Sequence, residues 1–549
     1  MADHVPGTPD PPAGLRDEAS PIRPDRRLRG VDLAVLAMLG LAVRLPAALS
    51  GRHLTFDDGV FGASAIAMRH GGVPFRDVFS SQGPLFLPLV WLGDLIGFRS
   101  SNGPRIMNVI AGLILIAAAA WVADRLAGRQ AGLIAGGIIA ISGSIGWVTA
   151  PVAADGPALA FGLIAIGFSL AHRDRPRAAT ALGAGVALGA CLSTKAIELP
   201  MAVPVALVLV VPLINALRSR LGSLADSNSG HGRTIPRMIG DGALAMGSAI
   251  AVWLVVAVPF GLADVWDQSV TYKSPAGMER TPLANARKIV STLWDRDLVI
   301  WWLLALSIVG IVLANRRPTG APLTSSPTGR PSVELGSALP HTGDRAPRAP
   351  GDRLLVNSWI LATITWLIVA VTPMFRPHVS AIIPPVAVWL GVALGPMASS
   401  VNSPGLARRI GVGLAASTLA LVGLQLWDFL APGPYGAEDA RIVSLLEAMP
   451  AGTWALSDDP GLVWRAGRRT TDDLVDTSML RIQQGRITTD TLAVAAADPI
   501  VCAVVIRSDQ RFGALPRVDD ALEALGYRAV GNWQPPGRMF LRPSCDQPD

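Results

Sequence analysis

The sequence predicts a polytopic α-helical membrane protein with a small α/β domain at its C-terminal end. Three observations carry that expectation. Half of the 549 residues are hydrophobic and only 16% are charged, well below the roughly 25% typical of soluble domains. Apolar runs of about 20 residues, the length needed to cross roughly 30 Å of hydrocarbon, recur between residues 31 and 430. Beyond residue 431 the pattern changes to short helical and strand-like segments in alternation.

The net charge of +6 does not point to nucleic acid. The basic residues sit in short loops between apolar runs, where they report topology, and no basic cluster interleaves with aromatics. The lipid bilayer is the expected partner. The chain has no CxxC, no HExxH and no GxxxxGK[ST], so zinc sites and nucleotide-driven transport lack a motif. Cys191, within an apolar span, reads as a small core residue. Cys502 and Cys545 can pair if their segment faces an oxidising compartment.

Residues 1–29, rich in Pro, Arg and Asp, read as a disordered cytoplasmic tail without the layout of a signal peptide. The basic run RPDRRLR (23–29) keeps the N-terminus inside, and 31–49 then crosses outward. The membrane domain is expected over 30–431, with a first outer loop at 50–104. Further spans are expected at 105–126, 131–149, 153–171, 178–194, 199–217, 239–261, 298–314, 354–373, 379–396 and 409–430. The run 84–98 is interrupted by Pro88 and Asp94 and reads as a juxtamembrane or re-entrant helix. That leaves roughly eleven spans and puts Arg125/Arg129, Arg173/Arg175, Arg218/Arg220, Arg316/Arg317 and Arg408/Arg409 inside. Two linkers, 218–238 and 315–353, read as disordered and cytoplasmic. Gly and Ala crowd AGLIAGGIIAISGS (131–144), as expected where helices approach closely. Parity places 432–549 outside. Helices near 441–449, 489–497 and 518–526 alternate there with strands near 453–458, 500–508, 527–533 and 538–542. With neither GxSxG nor GxGxxG, this domain is given support or acceptor recognition.

The most chemically dense stretch is HLTFDDGVFGASAIAMRHGGVPFRDVFSSQGPLF (53–86). Asp57 and Asp58 open it, an amphipathic helix is expected over 59–70, and Gly71-Gly72 and Pro74 end that helix. Asp58 alone reads equally well as a helix cap, which makes Asp57 the stronger candidate base. Topology gathers further polar residues at the same face. These are Gln82; Asp155 at the start of a span; Lys195 and Glu198 in STKAIELP; Asp264, Trp266, Tyr272 and Lys273 in one loop; and Arg376 and His378 in FRPHVSAIIPP. Each has a plainer reading: Asp155 as a cap, Lys195 snorkelling to headgroups, Arg376 anchoring a turn to lipid phosphates. Arg44 lies inside the first span, where charge is costly, and is expected to face the bundle and pair with an acid. Acids and cations collected at one membrane face suit a reaction between a phosphorylated lipid and a hydroxyl. A transporter of lipid-linked sugars would place its ionisable groups near mid-span and show repeated halves. A scaffold displaying its outer domain would tolerate Asp57→Ala.

Several segments together resemble the GT-C membrane glycosyltransferases of the protein O-mannosyltransferase and aminoarabinose-transferase type. They are FDDGVFGASAIAMRHGGVPFRDVFSSQGPLFLPLVW (56–91), PRIMNVIAG (104–112), AADGPALAFG (153–162), LGACLSTKAIELP (188–200) and HVSAIIPPVAVWLGVAL (378–394). The resemblance implies inverting transfer of a mannose- or pentose-like sugar from a polyprenyl-phosphate donor to an extracytoplasmic hydroxyl on a glycan, lipid or protein. The first acid of the family's pair, here Asp57, is implied as general base. Asp58 stands where relatives often have glutamate. Gly83 replaces the lysine of the aminoarabinose branch, which argues against that donor. The Gly-, Ala- and Arg-rich composition with an outer α/β tail resembles actinobacterial relatives acting on cell-envelope glycans. Lys195, Arg376 or His378 would hold the departing phosphate. No cofactor is required, and no three-ligand cluster supports a divalent metal.

Overall fold

The computed structural model describes residues 27–222, 234–273, 281–315, 350–399, 404–531 and 533–545. Most of the N-terminal tail, and residues 223–233 and 316–349 of the two expected linkers, lie outside these. The linkers' edges are helical, since Ala202–Gly222, Thr234–Ala257 and Pro350–Val369 run into them.

Among the described residues, seven helices are long and apolar enough to cross a membrane: Gly30–Ala48, Gly103–Ala127, Asp155–Asp174, Ala196–Arg218, Ile235–Phe260, Asp352–Val369 and Arg376–Gly395. An eighth crossing results if Arg129–Ile141 and Gly143–Thr149 count as one span. Shorter apolar helices, Ala178–Thr194, Leu298–Ile308 and Ala416–Leu430, occupy the remaining expected spans. The first span, α1 (Gly30–Ala48), turns Leu36, Val43 and Ala47 into the bundle. It leaves Val31, Val35 and Met38 exposed, as a lipid-facing stripe requires.

One expected span is corrected. Residues 131–149 are not a single rod, because the chain bends by 65° at Ser142. Ser142 ends one helix and caps the next, accepting from Ile145 N at 3.2 Å. The break leaves carbonyls without intrahelical donors. Arg44 supplies them, donating to Ile139 O at 3.2 Å and Ala140 O at 3.1 Å, and to Thr149 Oγ1 at 2.8 Å. Arg44 is fully buried as expected, but its partners are carbonyls and a hydroxyl, not an acid.

Small residues set the helix spacing. At Gly132 an added Cβ would sit 2.8 Å from Ala120 O. At Gly185 and Gly189 it would meet the main chain of Ala245 and Ala249 at 2.1 and 2.6 Å. Close backbone approach of this kind substitutes packing for the hydrophobic effect, which is weak between helices in lipid.

Two short helices lie in the first loop, α2 (Phe56–Arg69) and α3 (Phe86–Ile96). Eleven residues rise only about 16 Å, so α3 is too short to cross. Asp94, which interrupts its apolar sequence, is buried and holds Arg69 at the end of α2 through contacts of 2.7 and 2.5 Å. The C-terminal segment forms a four-stranded sheet of order β1-β2-β4-β3, with β1 (Trp454–Ser457), β2 (Val501–Ile506), β3 (Arg528–Ala529) and β4 (Arg538–Leu541). β1 and β2 are parallel, joined by a crossover containing helix Thr489–Ala497, and the remaining pairs are antiparallel. The strand expected at 527–533 is only two residues long. Cys502 and Cys545 form a disulfide that ties β2 to the C-terminal turn. Cys191 is a buried free thiol.

Candidate active site

Thr55 caps α2, its side chain accepting from Asp58 N at 3.1 Å. The cap is therefore Thr55 and not Asp58. Successive residues on a helix point about 100° apart, so the two adjacent carboxylates enter different environments.

Asp58 turns inward and has no exposed surface. Its Oδ1 accepts from Arg105 Nε at 3.1 Å and Val152 N at 2.8 Å. Its Oδ2 accepts from Arg105 Nη2 at 2.5 Å and Leu54 N at 2.8 Å. Burial pushes the Asp58 pKa up, but the charge and hydrogen bonds of Arg105 outweigh it and hold the carboxyl below its ordinary value. Both oxygens are saturated. The sequence expects Asp58 to share the catalytic role, but its oxygens are taken up in holding the start of α2 and present no free acceptor to the site. Arg105 also donates to the carbonyls of Ala48, Ser50 and Arg52, fastening the exit of α1 to the start of α2. Asn108, one turn further on, donates to Val148 O and Ala153 O. Together with the Val152–Asp58 bond, it fixes the strap that delivers Asp155.

Asp57 is half-buried, and no side-chain hydrogen bond engages it among the described residues. Burial raises its pKa to about 6, opposed by Lys195 and Lys273 and reinforced by Asp155 and Asp476. It is the carboxylate of the pair poised to accept a proton near neutral pH.

Around it the structure gathers most of the expected residues. Lys195 lies in extended backbone where helix Ala178–Thr194 ends, and its Nζ meets Asp155 Oδ2 at 2.7 Å. Both are buried, so neither Lys195 snorkelling nor a cap at Asp155 describes them. Glu198 follows, also buried. Glu198 Oε1 and Asp155 Oδ1 have no hydrogen-bond partner among the described residues. His378 accepts from Phe375 N through Nδ1 at 3.3 Å, which leaves Nε2 as the N–H of the neutral ring. Its electrostatic neighbours are Lys195, Asp155 and Lys273. Burial, then the charge of Lys195, lowers the Lys273 pKa to about 7. Tyr272 is buried beside it with its pKa raised by that burial. Gln82 is buried on the segment that pairs with the end of the Lys195 helix, where Gly83 N and Leu85 N donate to Thr194 O and Ser193 O. At Gly83 a Cβ would fall 2.1 Å from Ser193 O, so this crossing admits only glycine.

Arg376 does not join the cluster. It forms an exposed pair with Asp295 at 3.1 Å, apart from the residues around Asp57. Asp264 and Trp266 are exposed as well. Sequence reasoning missed two residues. Arg105 carried a signal only as a basic residue at the start of a span, since its partner Asp58 lies 47 residues away. Asp476 carried none, since it is one of several acids far along the chain. It is nevertheless buried within electrostatic reach of Asp57 and Lys273. Among the described residues no group of three or more His, Cys, Asp or Glu is placed to hold a metal ion.

Residues 81–225 match the family model for dolichyl-phosphate-mannose-protein mannosyltransferase. Among solved structures, ArnT from Cupriavidus metallidurans in the apo state is similar at 13% identity, with a TM-score of 0.56, over 93% of this chain and 97% of that one. The same protein bound to undecaprenyl phosphate gives 13% identity and a TM-score of 0.53 over the same shares. No curated protein sequence matches the chain. The expected GT-C-like membrane fold is borne out by that similarity.

Proposed function

From that fold as premise, we propose that the chain moves a sugar from a polyprenyl-phosphate donor to a hydroxyl acceptor, with Asp57 as general base. One observation carries the reading. A half-buried carboxylate without a hydrogen bond lies within electrostatic reach of Lys195 and Lys273, and His378 faces the same two lysines.

In the reaction the acceptor oxygen attacks the anomeric carbon as the bond from that carbon to the phosphate oxygen breaks. The bonding pair leaves on the polyprenyl phosphate, the hydroxyl proton passes to Asp57, and the anomeric centre inverts. Lys273 and the Nε2–H of His378 stabilise the phosphate as its charge grows. Such fixed donors in a site shielded from water are worth several kcal/mol. Lys195, committed to Asp155, sets the field in which they act.

The site is at the extracytoplasmic face in this reading. Asp155 opens helix Asp155–Asp174, and the Arg125–Asp174 and Arg173–Asp352 pairs occupy the far end, about 30 Å away. Basic residues at that end fit the cytoplasmic side. The Cys502–Cys545 disulfide fits an oxidising compartment for the C-terminal domain. The test is transfer in purified membranes from a labelled polyprenyl-phosphate sugar pool, comparing wild type with Asp57→Ala at matched expression. Loss of transfer with lipid binding retained supports Asp57 as base, and unchanged transfer removes it. Movement of lipid-linked sugar across the bilayer without transfer would favour a flippase.

A further inference from the structure

The C-terminal domain packs against the loops of the membrane bundle near the candidate site. Its segment 476–486 reaches the loop that carries Lys273 and grips the residue before it at both ends. Tyr272 OH meets Ser478 Oγ at 2.7 Å, and Tyr272 O accepts from Gln484 Nε2 at 2.7 Å. Five residues upstream, Asp267 takes both Nη atoms of Arg486 at 2.7 and 2.9 Å. The ring of Tyr272 packs edge-on against Phe79 of the first loop, and the guanidinium of Arg481 covers Phe79 at 4.1 Å. The gripping segment is itself anchored. Asp476 Oδ1 accepts from Ser478 N at 2.9 Å, Asp476 O accepts from Arg481 Nη1 at 2.9 Å, and Thr477 Oγ1 donates to Ser457 O at the end of β1.

Lys273 itself engages no side-chain hydrogen bond or ion pair among the described residues, unlike Lys195. The charged groups facing it are Lys195, Asp155, Asp57 and Asp476, and His378 faces it in turn. Lys195 and Asp155 form their own pair, and Asp57 faces both lysines. Asp476 is the carboxylate that the C-terminal domain contributes. It is 4% exposed, and a buried carboxylate is stabilised by hydrogen bonds and nearby cations, here Ser478 N, Lys273 and Arg481, whose Nη1 lies on Asp476 O.

Resting on the function proposed above, we infer that Asp476, with the clamp of Ser478 and Gln484 on Tyr272, positions Lys273 as the cation that receives the donor's phosphate. Asp476 adds to Asp155 and Asp57 in favouring the charged ammonium beside a second lysine, and the clamp fixes where that ammonium stands. The residue touches no reacting atom in this account. It acts through Lys273.

The distinguishing experiment is binding of undecaprenyl phosphate to the purified full-length protein between pH 6 and pH 8.5. Loss of a neighbouring carboxylate lowers a lysine pKa by about one unit, a factor of up to about ten in the protonated fraction. Asp476→Asn keeps the acceptor for Ser478 N. It should bind within about twofold of wild type at pH 6, where Lys273 is mostly charged in wild type and about half charged in the variant, and three- to tenfold more weakly near pH 8. Lys273→Met should bind weakly and lose the pH dependence that separates wild type from Asp476→Asn. Tyr272→Phe with Gln484→Ala removes both holds of the clamp without a charge, and should weaken binding by a constant factor across the range. An Asp476→Asn protein that tracks wild type at every pH, or is weaker by one factor throughout, overturns the inference and leaves Asp57 untouched. Wild type that fails to bind undecaprenyl phosphate overturns both the inference and the donor class. If Asp476→Asn does not fold, a Tyr272→Phe/Gln484→Ala protein with wild-type binding overturns the clamp.

Discussion

Two neighbouring aspartates with the same chemistry are given opposite duties by their partners. Asp58 has four donors and no freedom, whereas Asp57 has open oxygens and a pKa raised to about 6. As base, Asp57 must be ionised to take the acceptor's proton. Transfer should therefore rise with pH through about 6, falling about tenfold per unit below it. Lys273 must be protonated, so the same profile should fall above about 7. A pH series of kcat/KM in membranes checks both limbs, and Asp57→Asn should lower transfer by about 10²–10⁴-fold. Arg105→Ala leaves Asp58 buried and unpaired, a loss of about 3–5 kcal/mol, read as a lower melting temperature in detergent. The folded Asp58 pKa lies below its unfolded value of about 3.9. Its contribution is thus present above that pH and fades as pH falls through the folded value. The acid pair was legible because it interrupts an apolar chain just after a span. Its division of labour was not, because hydrogen-bond partners 47 and 94 residues away are invisible to local pattern.

At the scale of elements, main-chain crossings decide the geometry. The segment 80–85 presses on the end of the Lys195 helix at Gly83, and any side chain there must displace Ser193 O or the segment itself. Gly83→Ala should lower transfer and cost about 1–3 kcal/mol as overpacking, measured by activity together with a lower melting temperature in detergent. Gly62 meets the indole of Trp464 in the same manner, at 2.1 Å from an added Cβ. Gly62→Val should cost about 1–3 kcal/mol as overpacking. Hydropathy located these helices because it reads apolarity over a window. It did not find the bend at Ser142, since the two limbs pass as one apolar run when taken together. The Ser-Gly-Ser at 142–144 was the only trace of it.

The whole molecule is two chemically different bodies sharing one surface. Polar contacts join them at both flanks of α2: His53 with Asp459 at 3.2 Å, Arg465 with Asn102 at 2.8 Å, and Arg511 stacked on Phe56 at 3.9 Å. The strand and helix pattern of the outer body was readable from its alternation. Its contribution of Asp476 was not, because 419 residues separate Asp57 from Asp476 and only the docked fold joins them. Orientation is testable at this scale. Val494 is 76% exposed, and a cysteine there should react with a membrane-impermeant maleimide in intact cells. Protection until permeabilisation would invert the proposed topology.

The contact at Gly59 has a practical corollary. An added Cβ there would lie 2.5 Å from Gly461 N, and one at Gly461 would lie 2.3 Å from the His53 ring. The helix bearing Asp57 and the appended domain are thus machined to the same tolerance, backbone on backbone. Grafting a foreign domain onto this bundle would demand a matching glycine and indole at 461 and 464. The appended part is not an interchangeable cartridge, and chimaeras cut at residue 431 should lose alignment at Asp57 before they lose their fold.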